Sequence, residues 1–489
     1  MGETPPTGDS RRPWSRRRVL EATAGVSATG GLAIAGCLGR GTRDGTVVMT
    51  AATDVEGIMY PDDGDSIQEA LWEAGLDEDI EIEIQTVVSD SDARMEGAQA
   101  ALQAGRAPPD IHMMDSGWTV PFILREQTTN LTEELPDDVV DHVESEYLEA
   151  ILETARDPAT DDLHGLPLFP DLGFVLYRRD LIDDAGHETG DWDDEPPSWE
   201  AFATAVADAN DDSGVQYGFT TQADAYEGLA CCSFNEVMTS WGGAYFGGAD
   251  NLFTAGDRPI TVDDETVIDA IRMMRTFIDA DDPNALEGYP EICPSAIVQW
   301  TEQESLGPFE AGNAVAHRNW AFAISETGDE EVFGEDLGVT TMPVGVPDDE
   351  AEYDGVGGTS SALGGWNLVI SPYTDRHDEA LQVLEAFTHD EVMLTIFELG
   401  GFLPPNVELV TEADEGEIGP MARYAPQIER ASENALSRPV TDVWPEQSAL
   451  IYQELNAAYR GVKAPAEAMA DLAGRLEASE SEVAQRDGG

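Results

Sequence analysis

The chain has 489 residues, of which 98 are acidic and 25 basic, for a formal charge of −73. That length exceeds what one hydrophobic core usually fills, so two or three core-sized units are expected. A hydrophobic share of 41% can supply them and argues against wholesale disorder, while the charge excludes DNA, RNA or anionic membrane binding through basic contacts. Lys463 is the only lysine, so the other 24 of the 25 basic residues are arginines. Acid loading with lysine almost absent reads as a protein kept soluble in strong brine, where salt screens self-repulsion. The acidity is therefore an environmental signature and not evidence of a metal site.

Adjacent arginines in Ser15-Arg16-Arg17-Arg18-Val19-Leu20 precede a mildly apolar stretch, Ala22 to Gly36, the pattern of a twin-arginine export signal. The stretch is too short and too weakly apolar for a spanning helix, which needs ~20 apolar residues. It ends in Ile34-Ala35-Gly36-Cys37, which resembles the lipobox of exported lipoproteins. Residues 1–36 are then a signal, Cys37 the lipid-bearing first mature residue, and 37–44 a tether at the outer membrane face. Cys231 and Cys232 are adjacent; either can pair with Cys293 in an oxidising exterior, or all three stay buried thiols. The seven histidines are scattered and show no zinc spacing, so neither metal nor cofactor is expected.

Thr46 to Ala52 reads as a first strand, followed by an acidic loop and a short helix near Ile67 to Ala74. The alternation Ile80-Glu81-Ile82-Glu83-Ile84 predicts a strand with one buried face. Ser91 to Ala104 reads as a helix and Asp110 to Met114 as a strand, a β-α-β-α-β order that predicts a parallel sheet. Ligands of such sheets lie beyond the strands' carboxyl ends, where Asp54, Glu56, Asp115 and Trp118 fall. Further along come a strand at Gly173 to Arg178, a helix from Ser198 through Ala209, and the clearest amphipathic helix, Asp263 to Ala280. A strand at Leu337 to Met342, a Gly/Ser stretch from Gly355 to Gly365, a strand at Asn367 to Ser371 and helices at Asp375 to Phe387 and Pro465 to Leu476 complete the pattern.

Several segments together resemble the extracellular solute-binding proteins of ABC importers, in particular the maltose/trehalose-type branch. Gly165-Leu166-Pro167-Leu168-Phe169-Pro170-Asp171-Leu172-Gly173, running on to Tyr177 and Asp180-Leu181, is similar to the family's G-x-P-x-aromatic-x-D-x-G crossover. Pro109-Asp110-Ile111 through Asp115, Phe309-Glu310-Ala311-Gly312-Asn313-Ala314-Val315, Gly364-Gly365-Trp366 and Arg438-Pro439 follow in the family's order. The resemblance implies an α/β fold of two lobes, the type II periplasmic-binding-protein arrangement, joined by a hinge with the ligand in the cleft between them. It places the first lobe at 45–163 plus 350–400 and the second at 164–345 plus 405–485. It further implies a monomer that closes on its solute and delivers it to the transmembrane subunits of an ABC permease.

The expected solute is a sugar. Carboxylates accept pairs of hydroxyl hydrogens, and flat rings cover the weakly apolar C–H face. Asp115 and Asp171 are the candidate acceptors, Phe169, Trp320 and Trp366 the candidate rings, and Arg94 and Arg438 the candidate donors. Gly365 beside Trp366 would let a ligand approach the backbone. A polyamine suits the same walls, and a glycoside hydrolase uses the same residue types. Against catalysis stand the lipobox and the lack of a G-x-S-x-G element or a phosphate-gripping loop.

Overall fold

The computed structural model describes residues 45–487 apart from 62–63, 88–90, 194, 412 and 414–417. The export signal, Cys37 and the tether lie outside the described residues. From the amino end, β1 (Thr46–Ala51), β2 (Glu81–Thr86) and β3 (Ile111–Asp115) are parallel, with β1 in the middle. Helices at Ile67–Glu73 and Ser91–Gln103 make the crossovers. That much agrees with the expected parallel unit.

The remainder of the sheet does not stay parallel. β4 (Leu166–Arg178), β5 (Tyr217–Thr220), β6 (Ala314–Trp320), β7 (Leu337–Thr340), β8 (Ser361–Ile370) and β9 (Ala435–Ser437) extend it to nine strands. The order is β2-β1-β3-β8-β4-β6-β5, with β7 beside β4 and β9 beside β8. β3–β8, β8–β4 and β4–β6 are antiparallel pairs, and β5–β6 is parallel again. Two parallel regions are thus joined by antiparallel strands.

β4 makes the join. Leu166 to Leu172 pair with β8, whereas Gly173 to Arg178 pair with β6 and β7. Its start lies upstream of the predicted Gly173, because Pro167 and Pro170 are accommodated on a strand whose pairing shifts register between Pro167 and Phe169. β8 likewise absorbs Ser361 to Gly365, part of the expected Gly/Ser loop. At Gly365 φ is +126°, and a Cβ there would lie 2.9 Å from Pro170 Cα, so the close approach of β4 demands glycine. The backbone that approaches Gly365 is therefore the protein's own.

Separate cores flank this join. One gathers Val47, Met49, Ile82, Ile111, Leu166, Leu168, Phe169, Leu368 and the helices His377–Phe387 and Asp390–Gly400. Another gathers Trp199, Phe202, Phe219, Phe234, Phe277, Val315 and the helices Trp199–Ser213, Glu265–Ile278 and Trp444–Tyr459. Ser198 caps the first of these by accepting from Ala201 N, and Gly214 ends it at φ +69°. The carboxyl-terminal helix runs Pro465–Asp487, well past the predicted Leu476, with Leu472 and Leu476 in the second core. No helix among the described residues is long and apolar enough to cross a membrane.

The cysteine expectation needs correction. Cys231 and Cys232 are bonded to each other inside the turn Leu229–Ser233, and Cys293 is a buried free thiol. Burial pushes the Cys293 thiol well up, which keeps it protonated.

Candidate functional site

The expected ligand positions do converge, around the β4–β8 join. Asp115 closes β3 and stands opposite Trp366 of β8; Trp366 in turn stands opposite Phe169 of β4. Asp171 of β4 faces Gly364, and a Cβ on Gly364 would lie 3.1 Å from Asp171 Cβ and 3.5 Å from the Trp320 ring. Trp320 ends β6 opposite Gly173 of β4. One antiparallel crossing therefore brings Asp171 beside Trp320 and Asp115 beside Trp366.

Asp171 is the chemically unspent group. Its carboxyl is partly buried, and among the described residues it has no hydrogen-bond partner. Burial and the nearby Asp115, Asp54 and Glu302 push its pKa from 3.8 up to about 7, against the pull of Arg318. Asp115, by contrast, is occupied. Its Oδ1 accepts from Gly117 N at 2.7 Å and Arg438 Nη1 at 3.1 Å, and its Oδ2 accepts from Ser91 Oγ at 3.2 Å. Three of roughly four acceptor positions are thereby filled, which leaves Asp115 much poorer in free capacity than Asp171.

Each tryptophan carries an arginine. The Arg94 guanidinium lies 3.7 Å from the Trp366 ring centre, and that of Arg318 lies 4.1 Å from the Trp320 ring centre. Arg318 is fixed: Nε donates to Glu236 Oε2 at 2.7 Å and Nη1 to Gln222 Oε1 at 3.2 Å. Glu236, fully buried, also accepts from Ala362 N at 2.8 Å. Gly173 leaves room for this pair, since any Cβ there would collide with Glu236 Oε1. Arg94 is held more loosely, through one 3.4 Å bond from Nη2 to Met113 O. Burial lowers its pKa to about 10, although Asp115 and Asp54 oppose the fall.

Two expected roles change. Phe169, expected to cover a sugar face, instead stacks on Phe402 at 4.4 Å in the first core and keeps only 2% of its surface. Arg438 is committed to Asp115 and to Glu227, whose Oε1 it reaches at 2.7 Å. Trp118 is also core-like, packed 5.5 Å from Phe122 with Nε1 bonded to Ser91 Oγ. Glu227, Tyr226 and Glu302 are additions: the Tyr226 hydroxyl donates to Glu302 Oε1 at 2.7 Å. Burial pushes Glu227 up to about 7 despite Arg438. No local pattern marks these residues in a chain with 98 carboxylates. Among the described residues no three His, Cys, Asp or Glu side chains converge in a way that could hold a metal ion.

Residues 60–393 match the family model described as bacterial extracellular solute-binding protein. The chain belongs to that family. Among its relatives is a probable ABC transporter-binding protein of Deinococcus radiodurans, 24% identical over 313 residues. That alignment spans 63% of this chain and 64% of the relative's length. The fold is similar to that of maltose-bound MalE3 of T. maritima, at TM-score 0.70 and 22% identity over 88% of this chain and 99% of the other. The GacH receptor of Streptomyces glaucescens, solved unliganded and with acarbose, matches at TM-score 0.67 and 18% identity over 88% and 97%. The solute-binding protein is thus an α/β structure of the two-lobe kind.

Proposed function

We propose that this solute-binding protein captures a sugar, a di- or oligosaccharide, between its two lobes and delivers it to an ABC permease without chemical change. The supporting observation is Asp171, a partly buried carboxyl with no hydrogen-bond partner among the described residues, set beside the Trp320 ring. A carboxyl in that position suits a pair of sugar hydroxyls, each charged hydrogen bond contributing ~1.5–3 kcal/mol. Trp366 supplies a partly exposed ring two strand positions beyond Gly364. The ligands of MalE3 and the GacH receptor, maltose and acarbose, agree in chemistry.

The lobes are taken as 45–163 plus 350–400 and 164–345 plus 405–485, with the first boundary moved into β4 near Leu172–Gly173. Leu166, Leu168 and Phe169 pack in the first core, which supports that move. Export by the twin-arginine route, a lipid on Cys37, a monomeric body and a saline environment complete the proposal, each resting on the sequence patterns above.

A cationic solute such as a polyamine is the second reading, favoured by Asp54, Asp171, Glu227 and Glu302 around one region. The arginines on Trp366 and Trp320 weigh against it, because a guanidinium on one face weakens the ring's attraction for a second cation. Calorimetry against mono-, di- and oligosaccharides and polyamines in multimolar salt tests the choice. A dissociation constant insensitive to salt supports a neutral sugar. Binding of a polyamine that weakens steeply with salt, or sustained hydrolysis of maltose by the pure protein, rejects it.

A further inference from the structure

We propose that Arg438 is a positioning residue that ties the two lobes together, taking one carboxylate partner from each. The proposal rests on the two-lobe fold and not on the identity of the solute. Arg438 follows β9, and its Nη1 donates to Asp115 Oδ1 at 3.1 Å and to Glu227 Oε1 at 2.7 Å. Asp115 ends β3 on the first-lobe side of the sheet, whereas Glu227 precedes the turn Leu229–Ser233, whose side chains lie in the second core. One nitrogen thus bridges groups that the hinge would otherwise move independently.

The backbone is shaped for this bridge. Gly117, two residues past Asp115, lies under the guanidinium: a Cβ there would stand 2.6 Å from Nη1 and 2.9 Å from Cδ. Any side chain at this position would have to displace Arg438 from its place against the first lobe. Two residues after Arg438, Val440 packs with Phe253 against Val120 and Ile123 of the helix Thr119–Ile123. Val440 N also donates to Leu252 O at 2.8 Å. The segment Arg438-Pro439-Val440 is therefore held on the second lobe and makes both a polar and an apolar contact with the first.

The physical consequence depends on where the charges can go. Side-chain exposures of 4% for Arg438, 10% for Asp115 and 15% for Glu227 leave the bridge little screened by salt. Removing one partner of a buried pair strands the other charge. Within one lobe that strain has no outlet but protonation of the carboxylate or unfolding. Across a hinge it has another, since separation of the lobes returns Asp115 and Glu227 to water. Loss of Arg438 should therefore populate the separated form of a protein that stays folded. The apparent affinity then falls with the fraction of molecules still competent to bind.

The test uses full-length Arg438→Met, Arg438→Lys and Glu227→Gln beside the unaltered protein. The readouts are the radius of gyration from small-angle scattering without added solute, circular dichroism, and affinity for maltose. Arg438→Met is expected to keep its fold, to widen, and to bind maltose about tenfold more weakly. Arg438→Lys should recover part of the compaction, and Glu227→Gln should widen less than Arg438→Met. A folded Arg438→Met with an unchanged radius overturns the tie. If that variant does not fold, an unchanged radius in Glu227→Gln overturns it instead. Widening in Arg438→Met while the unaltered protein ignores maltose supports the tie and counts only against the sugar.

Discussion

The two arginine–tryptophan corners of the site are built to different standards. On β6, Arg318 is anchored by Glu236 and Gln222 before it meets Trp320, and Gly173 leaves room for that anchor. Beside β3 and β8, Arg94 reaches Trp366 with, among the described residues, a single long bond to Met113 O and no carboxylate hydrogen bond. One corner is anchored by a buried carboxylate, and the other is held by packing and one long hydrogen bond among the described residues. A protein that must hold a solute and later release it can keep one wall rigid and let the other yield. The difference also predicts which substitutions threaten the fold and which only change binding.

The largest effect is expected at the rigid corner. Arg318→Met strands Glu236, fully buried, and should lower unfolding free energy by about 3–5 kcal/mol in chemical denaturation. A loss below ~1 kcal/mol would show that the anchor is not structural. Next is Asp171→Asn, which should weaken sugar affinity roughly 10- to 100-fold, or about 1.5–3 kcal/mol, with the circular dichroism spectrum kept. Unchanged affinity removes Asp171 from the site. At the loose corner Arg94→Met should cost about fivefold in affinity and under ~1 kcal/mol in stability, because Asp115 retains Arg438 as a partner. A stability loss as large as that of Arg318→Met erases the proposed contrast.

The smallest effect is a slope with pH. The Asp171 pKa is raised from 3.8 to about 7, so the folded chain holds this proton more tightly than the unfolded chain. Its stabilising contribution is complete below pH ~4 and is lost as pH rises through about 7. Glu227, also raised to about 7, acts in the same direction. Stability measured between pH 5 and 8 should therefore decline less steeply in Asp171→Asn than in the unaltered protein. Identical slopes would place Asp171 in ordinary solvent.

Local pattern made some of this legible before any tertiary information. Alternating Ile80 to Ile84 marked β2, and the spacing of Val267, Ile271, Met274 and Ile278 marked the helix Glu265–Ile278. Elements whose periodicity is interrupted were harder. Two prolines hid the first half of β4, and two glycines hid the start of β8, although these strands form the central antiparallel join of the sheet. Their pairing is stabilised by partners far along the chain, so local propensity carries little of the signal. The resemblance singled out Asp171, Trp320 and Trp366, which the fold sets near the β4–β8 join, but it could not separate a ring facing a cleft from Phe169 stacked on Phe402.

By itself the sequence determined the acidic, lysine-poor surface, the alternation of strands and helices, and the residue types gathered near the strand ends. Those follow from composition and from periodicities only a few residues long. The tertiary structure alone decided that Asp115 is occupied by Arg438 and that Asp171 has no hydrogen-bond partner among the described residues. It also decided that Cys231 bonds its neighbour and not Cys293. Such outcomes depend on which groups meet across hundreds of residues, and hydrogen-bonding capacity once spent on one partner is unavailable to another.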